Sequence, residues 1–134
     1  MKKIVLFALS VGVTLAASAQ KDELKEALKA FKKGDASQTL SIIEPLSTSI
    51  RSTEDRYQAD YFSLLGDASL KLAQSGDIER YSVAIEAYES VIALENASGK
   101  PKYSDAAMGS MNQIANDFVN MAIEDQKAAD YSGA

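Results

Sequence analysis

Four polar residues on the third predicted helix have the spacing of a binding stripe. They are Asp60, Ser63, Asp67 and Lys71, three or four residues apart. This spacing places their side chains along one flank of a helix, about a quarter turn from its apolar face. Carboxylate, hydroxyl and ammonium groups arranged in this way can bind the polar groups of a protein partner. We take the four as candidate partner-binding residues, with an ordinary solvated flank as the alternative.

Three asparagines on the fifth predicted helix form a second stripe. Asn112, Asn116 and Asn120 follow the spacing i, i+4, i+8, which aligns them along the helix. Each Asn side chain offers both a donor and an acceptor, so the row could hold an extended peptide backbone. The row lies well over a quarter turn from the predicted core face. A solvated face is therefore the alternative to a second partner-binding surface.

The residue types give little support to catalysis. The chain contains no His and no Cys, which are the commonest nucleophiles, bases and soft-metal ligands. Glu86 and Glu89 lie three residues apart, but solvated carboxylate pairs are routine on amphipathic helices. The sequence also lacks a calcium loop of the Asp-x-Asp-x-Asp-Gly type and a phosphate-binding glycine loop. We therefore predict no catalytic residue, no metal site, no cofactor and no enzymatic activity.

Residues 1–19 have the features of an export signal. The positive pair Lys2-Lys3 precedes the apolar stretch Ile4–Ala16, and Ala17-Ser18-Ala19 supplies the small residues that signal peptidase requires. A membrane anchor is the alternative, but the uncharged run Ile4–Gln20, of 17 residues, is at the lower edge of the length that spans a bilayer. We predict cleavage after Ala19 and a periplasmic or secreted protein with no stable membrane insertion.

The charge balance argues against nucleic acid as a partner. The chain has 14 basic and 19 acidic residues, and loss of Lys2 and Lys3 with the signal would leave 12 against 19, a net charge of −7. An acidic chain without a basic cluster repels phosphate backbones and anionic lipid surfaces. Since Cys is absent, the exported product would depend on apolar packing rather than on disulfides.

Apolar periodicity predicts five helices in residues 20–134 and no strand. Leu24, Ala27, Leu28 and Phe31 show the i, i+3, i+4, i+7 spacing of one helix face. The same spacing predicts the inward residues of the other helices, which are Leu40, Ile43 and Leu46; Tyr57, Tyr61, Leu64, Leu65, Ala68 and Leu72; Tyr81, Ala84, Ile85, Tyr88, Val91 and Ile92; and Ala107, Met108, Met111, Ile114, Ala115, Phe118 and Ala122.

Turn residues predict where these helices end. Gly34-Asp35 closes the first helix, with Asp35 as N-cap of the second, and Gly76-Asp77 separates the third from the fourth. Pro45 predicts a break at Glu44, because proline lacks the backbone donor that a helix interior needs. The remaining expectations are a cap for the third helix at Ser52 or Thr53, a loop over Asn96–Pro101, and a fifth helix from Ser104.

The segment from Leu65-Gly66 through Gly76-Asp77 to Ala84-Ile85-Glu86-Ala87-Tyr88 resembles a tetratricopeptide repeat (TPR) hairpin. Gly66 matches the small residue of the family's first helix, Ala84 that of the second, and Tyr88 the aromatic residue four positions later. The 18 residues from Gly66 to Ala84 are about six more than the 34-residue repeat allows. The insertion is expected within Ala73–Ser82.

Two weaker copies extend the resemblance over most of residues 20–134. One runs from Gly34-Asp35 through Thr39 or Leu40 to Ile43, and the other from Ala122 through Ala129 to Ala134. The small positions Thr39, Ala84 and Ala134 are 45 and 50 residues apart, so the repeats are irregular. Because the third copy stops before its second helix, we expect this chain to be an N-terminal portion of a longer repeat protein, with a degenerate capping helix as the alternative.

The resemblance implies an all-α fold of antiparallel helix hairpins stacked as an irregular TPR-like α-solenoid. It further implies a scaffold that binds a protein or peptide in a groove lined by first helices, among them the one that carries Asp60. The family's carboxylate clamps use Lys and Asn where Ser63 and Asp67 stand here, so an acidic tail should bind poorly. Two alternatives stay open: a helical accessory region of a larger enzyme, and a small-ligand or glycan module with Tyr57, Tyr61, Tyr81 and Tyr88 as aromatic walls.

Overall fold

The computed structural model describes residues 18–133, and within this range the chain is entirely helical apart from its turns. The first helix, α1, covers residues 18–32 of the described part. It is followed by α2 (Ala36–Ile43), α3 (Asp55–Gln74), α4 (Arg80–Ser98) and α5 (Ser104–Ser132). The all-α prediction is confirmed for these residues. The predicted export signal lies outside them except for positions 18 and 19, which already belong to α1.

The turns after α1 and α3 have the same geometry. Gly34 and Gly76 adopt φ values of +89° and +120°, a region that residues with a side chain rarely enter. In both turns the N–H of the next residue, Asp35 or Asp77, donates to the carbonyl oxygen five residues earlier over 3.1 Å. This bond satisfies a carbonyl at the helix end. The two predicted turns are confirmed, and the second is longer because α4 begins only at Arg80.

Side-chain caps follow the prediction at one helix and depart from it at another. Asp35 accepts a hydrogen bond of 2.9 Å from the backbone N–H of Gln38, which confirms it as the N-cap of α2. The cap predicted at Ser52 or Thr53 is wrong, since Glu54 precedes α3 and no side chain caps that helix. The Thr53 hydroxyl instead donates backwards to the Ile50 carbonyl over 2.6 Å, closing the preceding turn.

The break predicted at Pro45 is confirmed. Helix α2 ends at Ile43, and the chain continues as two short 3₁₀ helices, Glu44–Leu46 and Ser49–Ser52. Proline fits this tighter first turn because its missing N–H needs no partner there. The connection is anchored in the protein by Leu46 and Ile50, which are both buried.

Two apolar cores lie on opposite sides of α3. The first joins α3 to α1 and α2, and the second joins α3 to α4 and α5. Their best-buried members are Ala27, Leu40, Ile43, Ile50, Tyr61 and Ala68 in the first core, and Ala84, Tyr88, Val91, Ala107 and Ile114 in the second. Because α3 contributes to both, its buried residues spread around the helix instead of following the single predicted face.

The core face predicted for α5 is only partly correct. Ala107 and Ile114 are buried and Met111 partly so, but Met108 and Phe118 are 48% and 42% exposed. Ala115 and Ala122, also predicted to face inward, are exposed. The reason is that α5 packs on α4 along one side, and no described helix covers its neighbouring apolar side.

Helix α4 is longer than predicted. Asn96, Ala97 and Ser98 belong to its last turn, so the predicted loop shrinks to the residues between Gly99 and Tyr103. The reason is that Gly99, in the left-handed region, ends the helix and donates to the Glu95 carbonyl. Within residues 18–133 no helix is both long and apolar enough to cross a membrane.

Candidate partner-binding groove

An open groove of about 630 Å³ runs between α1 and α3, and the segment just before α5 contributes Lys102 and Tyr103 to one end of it. Its floor is apolar, because α1 and α3 meet there through the edge of the first core. Leu24 and Leu64 form the buried part of this floor, while Phe31 and Tyr57 are half-buried. Leu28 is 42% exposed on the α1 side, which leaves apolar surface accessible to a bound segment.

Asp60 connects α3 to the chain just before α5. Its carboxylate accepts hydrogen bonds from the Tyr103 hydroxyl and, at 3.0 Å, from the Lys102 ammonium. Burial and the bond to Asp60 both raise the pKa of Tyr103. The bonds that Lys102 makes with Tyr103 and Asp60 raise the pKa of its ammonium. At neutral pH the end of the groove therefore holds a protonated tyrosine and a charged lysine, both bonded to the Asp60 side chain.

Asp67 connects α3 to α4 further along the groove. Its carboxylate accepts a hydrogen bond of 2.8 Å from the Tyr88 hydroxyl, which comes from the second core. Burial raises the pKa of Asp67, and the bond from Tyr88 partly offsets this rise. Burial also raises the pKa of the Tyr88 hydroxyl, so it remains a donor at physiological pH. Asp67 is thus a groove residue whose carboxylate is already engaged within the protein.

The stripe predicted on α3 is largely brought together in the groove. Asp60, Ser63 and Asp67 all line it. Lys71 lies beyond its end, with its ammonium 5.7 Å from the centre of the Phe31 ring. Because Phe31 belongs to the floor, Lys71 marks the limit of the groove instead of lining it.

The asparagine stripe lies elsewhere. Asn112, Asn116 and Asn120 are exposed on α5 and do not line the α1–α3 groove. The two predicted stripes therefore do not form one surface. Within α5 the asparagines project from a side of the helix that is turned away from α4.

Four lysines around the groove are not among the residues predicted from sequence, which lie on α3 and α5. Lys21, Lys25 and Lys32 come from α1, and Lys102 comes from the segment before α5. The three α1 lysines have the spacing i, i+4, i+11, which places them on one helix face. That spacing is the sequence signal that could have identified them. They give the rim of the groove a positive charge within an acidic protein.

The tyrosines do not form the aromatic walls of an open ligand site. Tyr61, Tyr81 and Tyr88 are buried in the two cores, and only Tyr57 lines the groove. Tyr81 and Tyr88 each donate a hydrogen bond to an aspartate, so their hydroxyl groups are engaged within the protein. Of the four predicted wall residues the groove therefore contains only Tyr57, and its other aromatic residues are Phe31 and Tyr103.

Among residues 18–133 no three His, Cys, Asp or Glu side chains lie close enough together to hold a metal ion. Comparison of the chain with protein-family models, with curated proteins and with solved structures gave no match.

Proposed function

We propose that this chain is an exported TPR-like scaffold that binds a segment of a protein partner in the α1–α3 groove. The observation that carries the proposal is the groove itself, which combines an accessible apolar floor around Leu28 and Phe31 with a polar flank at Ser63. Peptide-binding clefts have this composition, because apolar contact contributes affinity and a few polar groups set orientation.

The TPR-like arrangement is supported by the repeated turn geometry and by the small residues between paired helices. Thr39, Gly66 and Ala84 are all buried. The Thr39 hydroxyl donates to the Ala27 carbonyl of α1 over 3.4 Å, and Gly66 lies against the Tyr88 ring of α4. Both hairpins close on a Gly-Asp turn with the same hydrogen bond. Stacked hairpins of this kind place their first helices side by side, which is the position of α1 and α3 at the groove.

A large side chain placed in the groove tests the binding site. Peptides selected from a random library on the purified protein should lose at least about tenfold in affinity for a Ser63→Trp variant, since the indole fills the groove floor. Asn116→Trp is the matched control on the exposed face of α5 and should bind as the unmodified protein does. The partner surface would instead be assigned to α5 if Ser63→Trp binds normally while binding is lost in Asn116→Trp or in the variant with Ala at all three asparagines.

The export part of the proposal has its own test. The chain, expressed in a Gram-negative bacterium with its native N-terminus, should be recovered from the periplasm or the medium with Gln20 as its first residue. N-terminal sequencing identifies that residue directly. Recovery of the uncleaved chain in the membrane fraction would instead support the anchor.

A further inference from the structure

The α1–α3 groove has a charge opposite to that of the whole protein. Four lysines and two aspartates line it, whereas the chain as a whole has a net charge of −5. Three of the lysines, Lys21, Lys25 and Lys32, follow one edge along α1. Lys102 stands beside Asp60 of α3. A partner segment entering the groove therefore passes between basic side chains.

The two aspartates offset only part of this charge, because two carboxylates stand against four ammonium groups, and both carboxylates are already engaged within the protein. Asp60 accepts from Lys102 and Tyr103, and Asp67 accepts from Tyr88. A basic ligand would have to compete for these carboxylates against hydrogen bonds that connect α3 to its neighbours. The aspartates thus hold α3 to its neighbours at the groove and are poorly available to bind a cationic ligand.

The α1 lysines are available to a ligand. The Lys25 ammonium lies 3.9 Å from Asp22, and both side chains are about three-quarters exposed, a pairing that contributes little. Within the described residues no carboxylate lies at ion-pair distance from Lys21 or Lys32. The Lys21 ammonium stands 4.8 Å from the centre of the Tyr57 ring, which positions it over the groove floor while its N–H donors remain open.

From these observations we propose that the groove takes an acidic partner segment, in which carboxylates flank a large apolar side chain. The apolar side chain lies on Leu28, Phe31 and Tyr57, and the carboxylates face Lys21, Lys25 and Lys32. The inference rests on the proposed function and names the chemistry of its partner. Ser63 and Asp67 of α3 by themselves led to the expectation that an acidic tail binds poorly. The lysines along α1 on the other edge of the groove lead to the opposite expectation.

Three synthetic peptides test the charge preference on the purified protein. Each has one central Phe, and the residues on both sides of it are Glu in the first peptide, Gln in the second and Lys in the third. Calorimetry at low and high salt compares their affinities for the protein. The Glu peptide should bind most tightly and the Lys peptide least. The difference between them should shrink at high salt, because added ions screen exposed charges.

A matched pair of double variants, in α1 and the first residue after it, locates the preference. Lys25→Gln/Lys32→Gln removes two charges from the groove edge, and Lys29→Gln/Lys33→Gln removes two exposed charges that do not line it. The first should weaken binding of the Glu peptide by about two- to twenty-fivefold and leave the Gln peptide unchanged. The second should leave both affinities close to their original values. Thermal unfolding of each variant confirms that the fold is retained.

Different failures have different meanings. The acidic partner would be overturned if the peptides bind in the groove without a preference for Glu, or if the two double variants lose equal affinity for the Glu peptide. The proposed function would remain in either case. Absence of binding by all three peptides and by library-selected ones would overturn both. Self-association of the protein that is abolished in Lys25→Gln/Lys32→Gln would also overturn the partner segment. The groove would then be occupied by a second copy of this chain, through the acidic residues near the end of its α5.

Discussion

The ring of Tyr88 lies directly against the backbone of Gly66, where α3 and α4 cross. A Cβ atom on Gly66 would stand 2.6 Å from Cε1 and 2.8 Å from Cδ1 of that ring, closer than real side chains approach. The hydroxyl of the same tyrosine bonds to Asp67, the next residue of α3, at 2.8 Å. The missing side chain at Gly66 therefore sets the spacing of the hairpin and, through Tyr88, the position of a groove residue.

Replacing Gly66 with Ala should lower the free energy of unfolding by roughly 1 kcal/mol. Alanine favours a helix over glycine by about 1 kcal/mol, but overpacking against the Tyr88 ring costs about 1–3 kcal/mol. Gly109→Ala in α5 is the control, since a Cβ there meets nothing within 4 Å, and it should raise stability by about 0.5–1 kcal/mol. Urea denaturation measures both. Equal gains for the two variants would show that the close contact does not constrain the hairpin.

Replacing Tyr88 with Phe should lower the free energy of unfolding by about 1–3 kcal/mol, because it leaves the half-buried carboxylate of Asp67 without its hydrogen-bond donor. The pKa of Asp67 should rise further in this variant, since the tyrosine bond lowers it. NMR titration of the Asp67 carboxyl carbon follows that change. Tyr131→Phe is the control on a side chain that is 85% exposed and should alter neither quantity.

Replacing Glu95 with Gln should destabilise the protein by about 2 kcal/mol at neutral pH. Glu95 is 4% exposed, and its carboxylate accepts from the Tyr103 N–H at 2.8 Å and from the Ser104 N–H at 2.8 Å, so it holds the start of α5 against the end of α4. Burial alone would raise the pKa of Glu95, but these bonds and that of the Ser104 hydroxyl lower it overall.

The effect of Glu95 should depend on pH in a defined direction. Because its pKa is lower in the folded protein than in the unfolded chain, the charged carboxylate contributes its full stability above the ordinary Glu pKa of about 4.3. That contribution is lost as the pH falls through the lowered, folded-state value. The stability difference between the unmodified protein and Glu95→Gln, measured by urea denaturation, should therefore be constant near neutral pH and shrink in acid. A difference that grew in acid would contradict this account.

Replacing Ser69 with Ala should raise the free energy of unfolding by about 1 kcal/mol. The Ser69 hydroxyl is fully buried in α3 without a hydrogen-bond partner among the described residues, so the folded state bears the cost of removing it from water. Thr39→Val is the contrasting variant, because that buried hydroxyl donates to the Asp35 carbonyl over 2.7 Å. The free energy of unfolding of Thr39→Val should fall by about 1 kcal/mol in the same urea denaturation. Destabilisation by Ser69→Ala would reveal a partner for its hydroxyl.

The sequence by itself determined the elements whose causes are local. Gly34-Asp35 and Gly76-Asp77 end helices wherever the rest of the chain lies, because glycine alone accepts the backbone conformation of these turns. Pro45 ends α2 for an equally local reason, its missing N–H. The 3.6-residue periodicity likewise marked the helices before their partners were known.

Only the tertiary structure decided which apolar residues are covered and which polar residues meet. Met108 and Phe118 continue the apolar stripe of α5 but are half-exposed, because burial depends on a second helix that periodicity within one helix does not specify. Lys25 of α1 and Asp60 of α3 meet in one groove although they are far apart in sequence. They line the same groove only because helix packing places them there, and this long-range placement is the part that local patterns leave undetermined.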